Sequence, residues 1–124
     1  MNITCGTDII EIERIKKGIE KFGEKFLNEI YTKKEIEYCE GKNEAKYEHY
    51  AARFAAKEAI FKAISPYLQN KYDITWKNME ILNNKQGRPY ANINKDKIRD
   101  NIEIDISLAH IKEYAIANCT INKK

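Results

Sequence analysis

Apolar and polar positions alternate along this chain with two different periods. Residues 2–8 form a short apolar opening that ends at Asp8, the pattern of a strand. From Ile9 to Phe22 the apolar positions Ile9, Ile12, Ile15 and Ile19 recur at helical spacing. Thr32-Lys33-Lys34-Glu35 has the capping-box pattern, so a short helix is expected to run to Cys39 and stop near Gly41. The longest helix is expected over residues 45–64, where Tyr47, Tyr50, Ala51, Phe54, Ala55, Phe61 and Ile64 share one face. Ser65-Pro66 ends it, because the residue before a proline is pushed out of the α region.

The second half changes to a period of two. Thr75 to Leu82 and Pro89 to Ile93 read as strands flanking Asn83-Asn84-Lys85-Gln86-Gly87, a good hairpin connection. Ile102, Ile104 and Ile106 alternate with charged residues, as in a half-buried strand, and Glu113 to Ile121 reads as another strand joined to it near His110. Helices first and antiparallel strands later define an α+β fold. Residues 1–124 contain no repeat, low-complexity segment or Gly/Ser linker, which predicts one domain.

Composition narrows the function classes. An apolar share of 43% suits a folded globular chain. No apolar run approaches the roughly 18–20 residues of a spanning helix, so no membrane association is expected. The N-terminus lacks a basic segment followed by an apolar stretch, so no secretory signal is expected either. Three widely spaced cysteines, Cys5, Cys39 and Cys119, read as reduced thiols of a cytoplasmic protein. Net charge is only +3, from 22 basic and 19 acidic residues, too little for a protein devoted to nucleic-acid phosphates. Eight tyrosines and lysine-rich stretches raise an RNA-binding module as a rival, but the tyrosines follow the helix core period and no RNA signature is present. The charge suits a local basic patch facing an acidic partner.

Three segments hold the suggestive polar residues. Asp8 sits where a strand hands over to a helix, a rigid place from which a carboxylate can reach a metal. With Glu11 it also makes a capping box, the commoner use of such an aspartate. In Arg53-Phe54-Ala55-Ala56-Lys57-Glu58-Ala59-Ile60-Phe61-Lys62, Arg53 and Lys57 are one helical turn apart, as are Glu58 and Lys62. That spacing fits a ligand-facing cluster or a solvated charged face with an ordinary Glu→Lys pair. Gly87-Arg88-Pro89 can wall a ligand or simply turn the chain. His110, after Ser107-Leu108-Ala109, can be a base, a phosphate partner or a structural residue.

In order, Gly6-Thr7-Asp8-Ile9, Arg53-Phe54-Ala55-Ala56-Lys57-Glu58-Ala59 with Lys62-Ala63, Gly87-Arg88-Pro89 and Ser107-Leu108-Ala109-His110 resemble the holo-acyl-carrier-protein synthase family, the short-chain 4′-phosphopantetheinyl transferases. The resemblance covers essentially the whole chain, including Lys112-Glu113-Tyr114-Ala115, and the Phe-Ala-Ala-Lys-Glu-Ala run is its most specific part. It implies a long central helix packed on a small antiparallel sheet. It also implies transfer of 4′-phosphopantetheine from coenzyme A to a serine of apo-acyl carrier protein, in support of fatty acid biosynthesis, with adenosine 3′,5′-bisphosphate leaving. By the same resemblance Asp8 and Glu58 are Mg²⁺ ligands, and Glu58 and Lys62 are catalytic. Arg53, Lys57, Lys62, Gly87, Pro89, Ser107 and His110 surround coenzyme A, and Arg14 contacts the acidic carrier. The family forms trimers with sites at subunit boundaries. Two positions depart from its pattern: Ala109 stands where Ser or Thr is usual, and Ser65 where Gly is common. Cys5 and His49 are expected to be structural.

Overall fold

The computed structural model describes residues 1–124 and is an α+β fold. The first strand, β1, spans Ile3–Glu11 and leads into helices α1 (Ile12–Phe22), α2 (Glu24–Ile30), α3 (Lys33–Glu40) and α4 (Lys46–Ile64). Strands β2 (Met79–Asn83) and β3 (Pro89–Ile93) follow, then β4 (Ile102–His110) and β5 (Tyr114–Lys123). A three-stranded antiparallel sheet has the order β1-β5-β4, and β2 and β3 form a separate hairpin. No helix is long and apolar enough to cross a membrane.

The long helix is the central element, as its sequence predicts. Tyr50, Ala51, Ala55, Ala56, Ala59, Ile60, Ala63 and Ile64 are all buried, so α4 is enclosed on several sides rather than along one stripe. One core cluster joins its second half to Ile81, Ile106, Cys119 and Ile121 of the strands. Another joins its first half to Ile12, Ile15, Ile30, Tyr31 and Cys39. Alanines keep the helix thin where β1 crosses it. A Cβ at Gly6 would collide with the Ala59 carbonyl oxygen, so the strand reaches this distance only with glycine there.

Three boundaries differ from the sequence pattern. Ile9 and Ile10 belong to β1, because its ladder with β5 continues to Glu11 opposite Tyr114. The helix starts at Ile12, whose N–H donates to the Glu113 carbonyl at 2.9 Å. The segment from Thr75 to Asn78 is a turn instead of strand: the Thr75 N–H and hydroxyl donate to Asn78 Oδ1 at 2.8 and 2.9 Å. Gly23, at φ 58°, breaks the helical run and lets α2 start in a new direction. The box at Thr32 forms as expected, with Thr32 Oγ1 accepting from the Glu35 N–H and the Glu35 carboxylate accepting from the Thr32 N–H.

Candidate active site

The inward side of β1 carries Thr4, Gly6, Asp8 and Ile10, alternate residues of one pleat. Thr4 Oγ1 donates to the Ala63 carbonyl at 2.7 Å, and Gly6 lies on Ala59. Those two contacts fix the register of strand against helix and deliver Asp8 beside the next outward residues of α4. Lys62 Nζ donates to the Thr7 carbonyl at 2.9 Å and lies 3.3 Å from Asp8 Oδ1. Asp8 is therefore no helix cap: it sits in the ladder opposite Ala117, and the cap position of α1 is Glu11, with no side-chain cap bond. Nor do Glu58 and Lys62 form a simple helix pair, since Lys62 reaches across to β1.

Glu58 completes the group one turn before Lys62. Its carboxyl is pushed above the usual glutamate range by burial first and by the Asp8 charge second, with Lys62 opposing. Asp8, Glu58 and Arg14 line one cleft of about 390 Å³ together with Ile15, Phe26 and Phe54. Glu58 also borders a more apolar cleft of about 450 Å³ with Phe61, Tyr72, Ile74 and Trp76. Phe54 of the first cleft stacks on Trp76 of the second, ring centroids 5.0 Å apart.

A carboxyl held above its ordinary range partly by a second carboxylate beside it invites a cation. No group of three or more His, Cys, Asp or Glu gathers anywhere in the chain. A pair of carboxylates with open space beside it fits Mg²⁺, which takes one or two carboxylates and fills its shell with phosphate oxygens and water. It does not fit a structural zinc site.

The other sequence-predicted residues fall in different places. Arg53 is buried, its Nη2 donates to Asn83 Oδ1 at 2.7 Å, and its guanidinium lies 4.1 Å from the Tyr38 ring centroid. It lines a third cleft, of about 530 Å³, with Lys34, Tyr38, Lys42, Lys85 and Gly87. Gly87, at φ 86°, makes the tight turn of the hairpin, and Pro89 opens β3 opposite Asn83. Ser107 lies opposite Asn118 on the outward face of the sheet, away from Asp8 and Glu58. His110 ends β4 with Nδ1 3.2 Å from Glu48 Oε2. Ala109 and Cys5 also point outward, while Ser65 donates its hydroxyl to the Lys62 carbonyl at 3.2 Å.

Lys57 requires a correction. Expected beside coenzyme A, it is fully buried, and its ammonium donates to Glu35 Oε1 at 2.7 Å, the Ile30 carbonyl at 2.7 Å and the Trp76 carbonyl at 2.9 Å. Burial pulls its pKa down from the lysine range, against the opposing charge of Glu35. All three donors are used inside the protein, so none reaches a ligand. Sequence reasoning missed Tyr38, Lys42 and Asn83 as neighbours of Arg53, and Phe26 as a wall of the Asp8 cleft. Only the fold brings these together.

The role of Gly6 is testable. Gly6→Val is expected to force β1 off α4, lowering Tm and displacing Asp8 from Lys62. Thermal unfolding and amide chemical shifts of residues 7–9 check this. Unchanged values would show that the close approach does not position the carboxylate.

A family model described as the 4′-phosphopantetheinyl transferase superfamily matches residues 4–119. A protein named holo-[acyl-carrier-protein] synthase from Ruminiclostridium cellulolyticum is 40% identical over 127 residues, spanning 98% of this chain and 93% of its own. One of the same name from Aquifex aeolicus is 41% identical over 96% of this chain and 98% of its own. Among solved structures, a holo-(acyl-carrier-protein) synthase from Bacillus anthracis in complex with CoA (3′,5′-ADP) superimposes with a TM-score of 0.80 at 30% identity. That match covers 98% of this chain and 96% of that one. The chain belongs to the 4′-phosphopantetheinyl transferase superfamily.

Proposed function

We propose that this chain is a holo-[acyl-carrier-protein] synthase. It moves 4′-phosphopantetheine from coenzyme A to a serine of apo-acyl carrier protein, in the cytoplasm and in support of fatty acid biosynthesis. The convergence of Asp8, Glu58 and Lys62 in one accessible place carries the reading. The names of the relatives and the ligand of the Bacillus anthracis structure support it.

Asp8 and Glu58 would hold Mg²⁺, which when bound neutralises the diphosphate charge that otherwise repels a nucleophile. The rest falls to the chain's own groups. Lys62, held by the Thr7 carbonyl and Asp8, places a fixed cation beside the departing phosphate. Glu58, with its raised proton affinity, accepts the proton of the incoming serine. The serine oxygen forms a bond to the β-phosphorus, and the bond to the bridging oxygen breaks, releasing adenosine 3′,5′-bisphosphate. Arg53 and Gly87, which line the separate hairpin cleft, and Pro89 at the start of β3 would take the nucleotide.

Arg14, at the edge of the Asp8 cleft on α1, is the proposed contact for the acidic carrier. Arg14→Glu is expected to weaken carrier binding by about tenfold more than coenzyme A binding at low salt, with the gap closing as salt is added. Titrations of both ligands check this, and equal losses would contradict a carrier-specific role.

The outward sheet face supports a trimer with sites at the subunit boundaries. Ile9, Tyr114 and Ile116 are 61, 44 and 41% exposed there, a patch that association would cover. Ser107 shares that face, so a neighbouring copy would be its route to a ligand. Solution mass tests the assembly, and an active monomer would contradict it.

A further inference from the structure

Arg88 stands between Gly87 and Pro89 but does not line the third cleft. Its Nη2 donates instead to Asp105 Oδ1 and Oδ2, at 2.9 and 3.1 Å. That contact runs from the β2–β3 hairpin to β4, and no backbone ladder joins those two sheets. Asp105 Oδ1 also accepts from the Ile106 N–H at 3.0 Å, which fixes the carboxylate on β4.

The hairpin is anchored unevenly. At its base Met79, Ile81 and Ile93 are buried in the core, whereas residues 84–88 at its tip are all exposed. The tip is closed on itself. Asn84 Oδ1 accepts from the Gln86 and Arg88 N–H groups, both at 2.9 Å, and the Asn84 N–H donates to the Arg88 carbonyl at 2.9 Å. Asn83 Nδ2 donates to the Gly87 carbonyl at 2.9 Å. A loop braced in this way moves as a unit. Two arginines tie that unit to the body, Arg53 through Asn83 on the α4 side and Arg88 through Asp105 on the β4 side.

We propose that Arg88 and Asp105 latch the hairpin tip to the main sheet and so hold Gly87 and Pro89 in register for the donor substrate. Arg88 is then a positioning residue, acting through the loop and touching no substrate. This rests on the coenzyme A reading, in which Gly87 and Pro89 take the nucleotide. Both side chains of the pair are largely exposed, so it adds little to global stability. Its leverage is local, because it opposes only excursions of a tip that no buried side chain holds. Apparent affinity for a ligand falls with the population of the state that binds it. Asp8 and Glu58 line a different cleft, so turnover of bound substrate is independent of the latch.

Arg88→Ala and Asp105→Asn are each expected to raise KM for coenzyme A about three- to fivefold, with kcat and Tm unchanged. The double variant should be no worse than either single one, since both remove the same contact. About 1 M salt should bring all four proteins to a common KM by screening the pair. Without any substrate, NMR order parameters of residues 84–88 are expected to drop in both single variants. A higher KM for Arg88→Ala alone, with Asp105→Asn at or below the wild-type value, would mean that Arg88 meets the substrate directly and would overturn the latch. So would order parameters and KM that stay at wild-type values in both, with the transferase reading left standing. A lower Tm or altered solution mass in Asp105→Asn would assign that residue to folding or assembly and equally overturn it. A wild-type protein that neither binds nor turns over coenzyme A would remove the latch together with the reading it rests on.

Discussion

Glu58→Gln is expected to reduce transfer by roughly 10²–10³-fold while leaving the fold intact. The substitution keeps the size of the side chain and removes only its charge. In the folded chain the Glu58 carboxyl is raised, by burial and then by Asp8, so the protein binds its proton more tightly than the unfolded chain does. Stability linked to this group is therefore complete below the ordinary glutamate pKa. It declines as pH rises through the raised value. At neutral pH the charged Glu58 is a cost, and glutamine removes it. Without Mg²⁺ the variant should melt at or above the wild-type temperature, and added Mg²⁺ should raise Tm only in the wild type. Loss of activity with gain of metal-free stability separates a charge role from misfolding. Full turnover of the variant with Mg²⁺ would remove Glu58 from the chemistry.

The second large effect concerns stability. Lys57→Met is expected to destabilise the fold by about 3–5 kcal/mol, because it leaves the Glu35 carboxylate buried without its cation. Glu35 accepts from the Thr32 and Ile81 N–H groups at 2.8 and 2.9 Å, while Lys57 holds the Ile30 and Trp76 carbonyls. The pair thus ties together α3, α4, β2 and the turn at Trp76. Combining Lys57→Met with Glu35→Gln should regain part of the loss, since no unpaired charge then remains. Urea unfolding of the single and double variants measures this. A small stability change accompanied by a large rise in KM for coenzyme A would instead return Lys57 to the ligand side.

Periodicity found the elements whose partners are local. The α4 helix itself, the Thr32 box and the alternation in β4 depend on neighbours within a turn or two, and all three are present, although α4 is buried on several sides and not along the single predicted face. It failed where a distant strand decides. Ile9 and Ile12 have helical spacing, but the β5 ladder keeps Ile9 extended. The same limit applied to the site. Asp8 could be a cap or a ligand by spacing, and only Gly6 packed on Ala59 gives it a fixed place against α4. Arg53 and Lys57 have the spacing of a solvated face, yet both are buried, because α4 is surrounded. The motif resemblance identified the family. It could not distinguish Lys57, consumed by Glu35, from Lys62, half-exposed beside Asp8.

The central claim is that Asp8 and Glu58 act together on a diphosphate so that a carrier serine can displace the nucleotide. Intact-mass measurement of apo-acyl carrier protein incubated with this chain, coenzyme A and Mg²⁺ tests it most directly. The account predicts a mass gain of one phosphopantetheine, abolished by chelation and by Asp8→Asn. A carrier that stays unmodified with the folded wild-type protein, or one modified equally well after chelation, would contradict it.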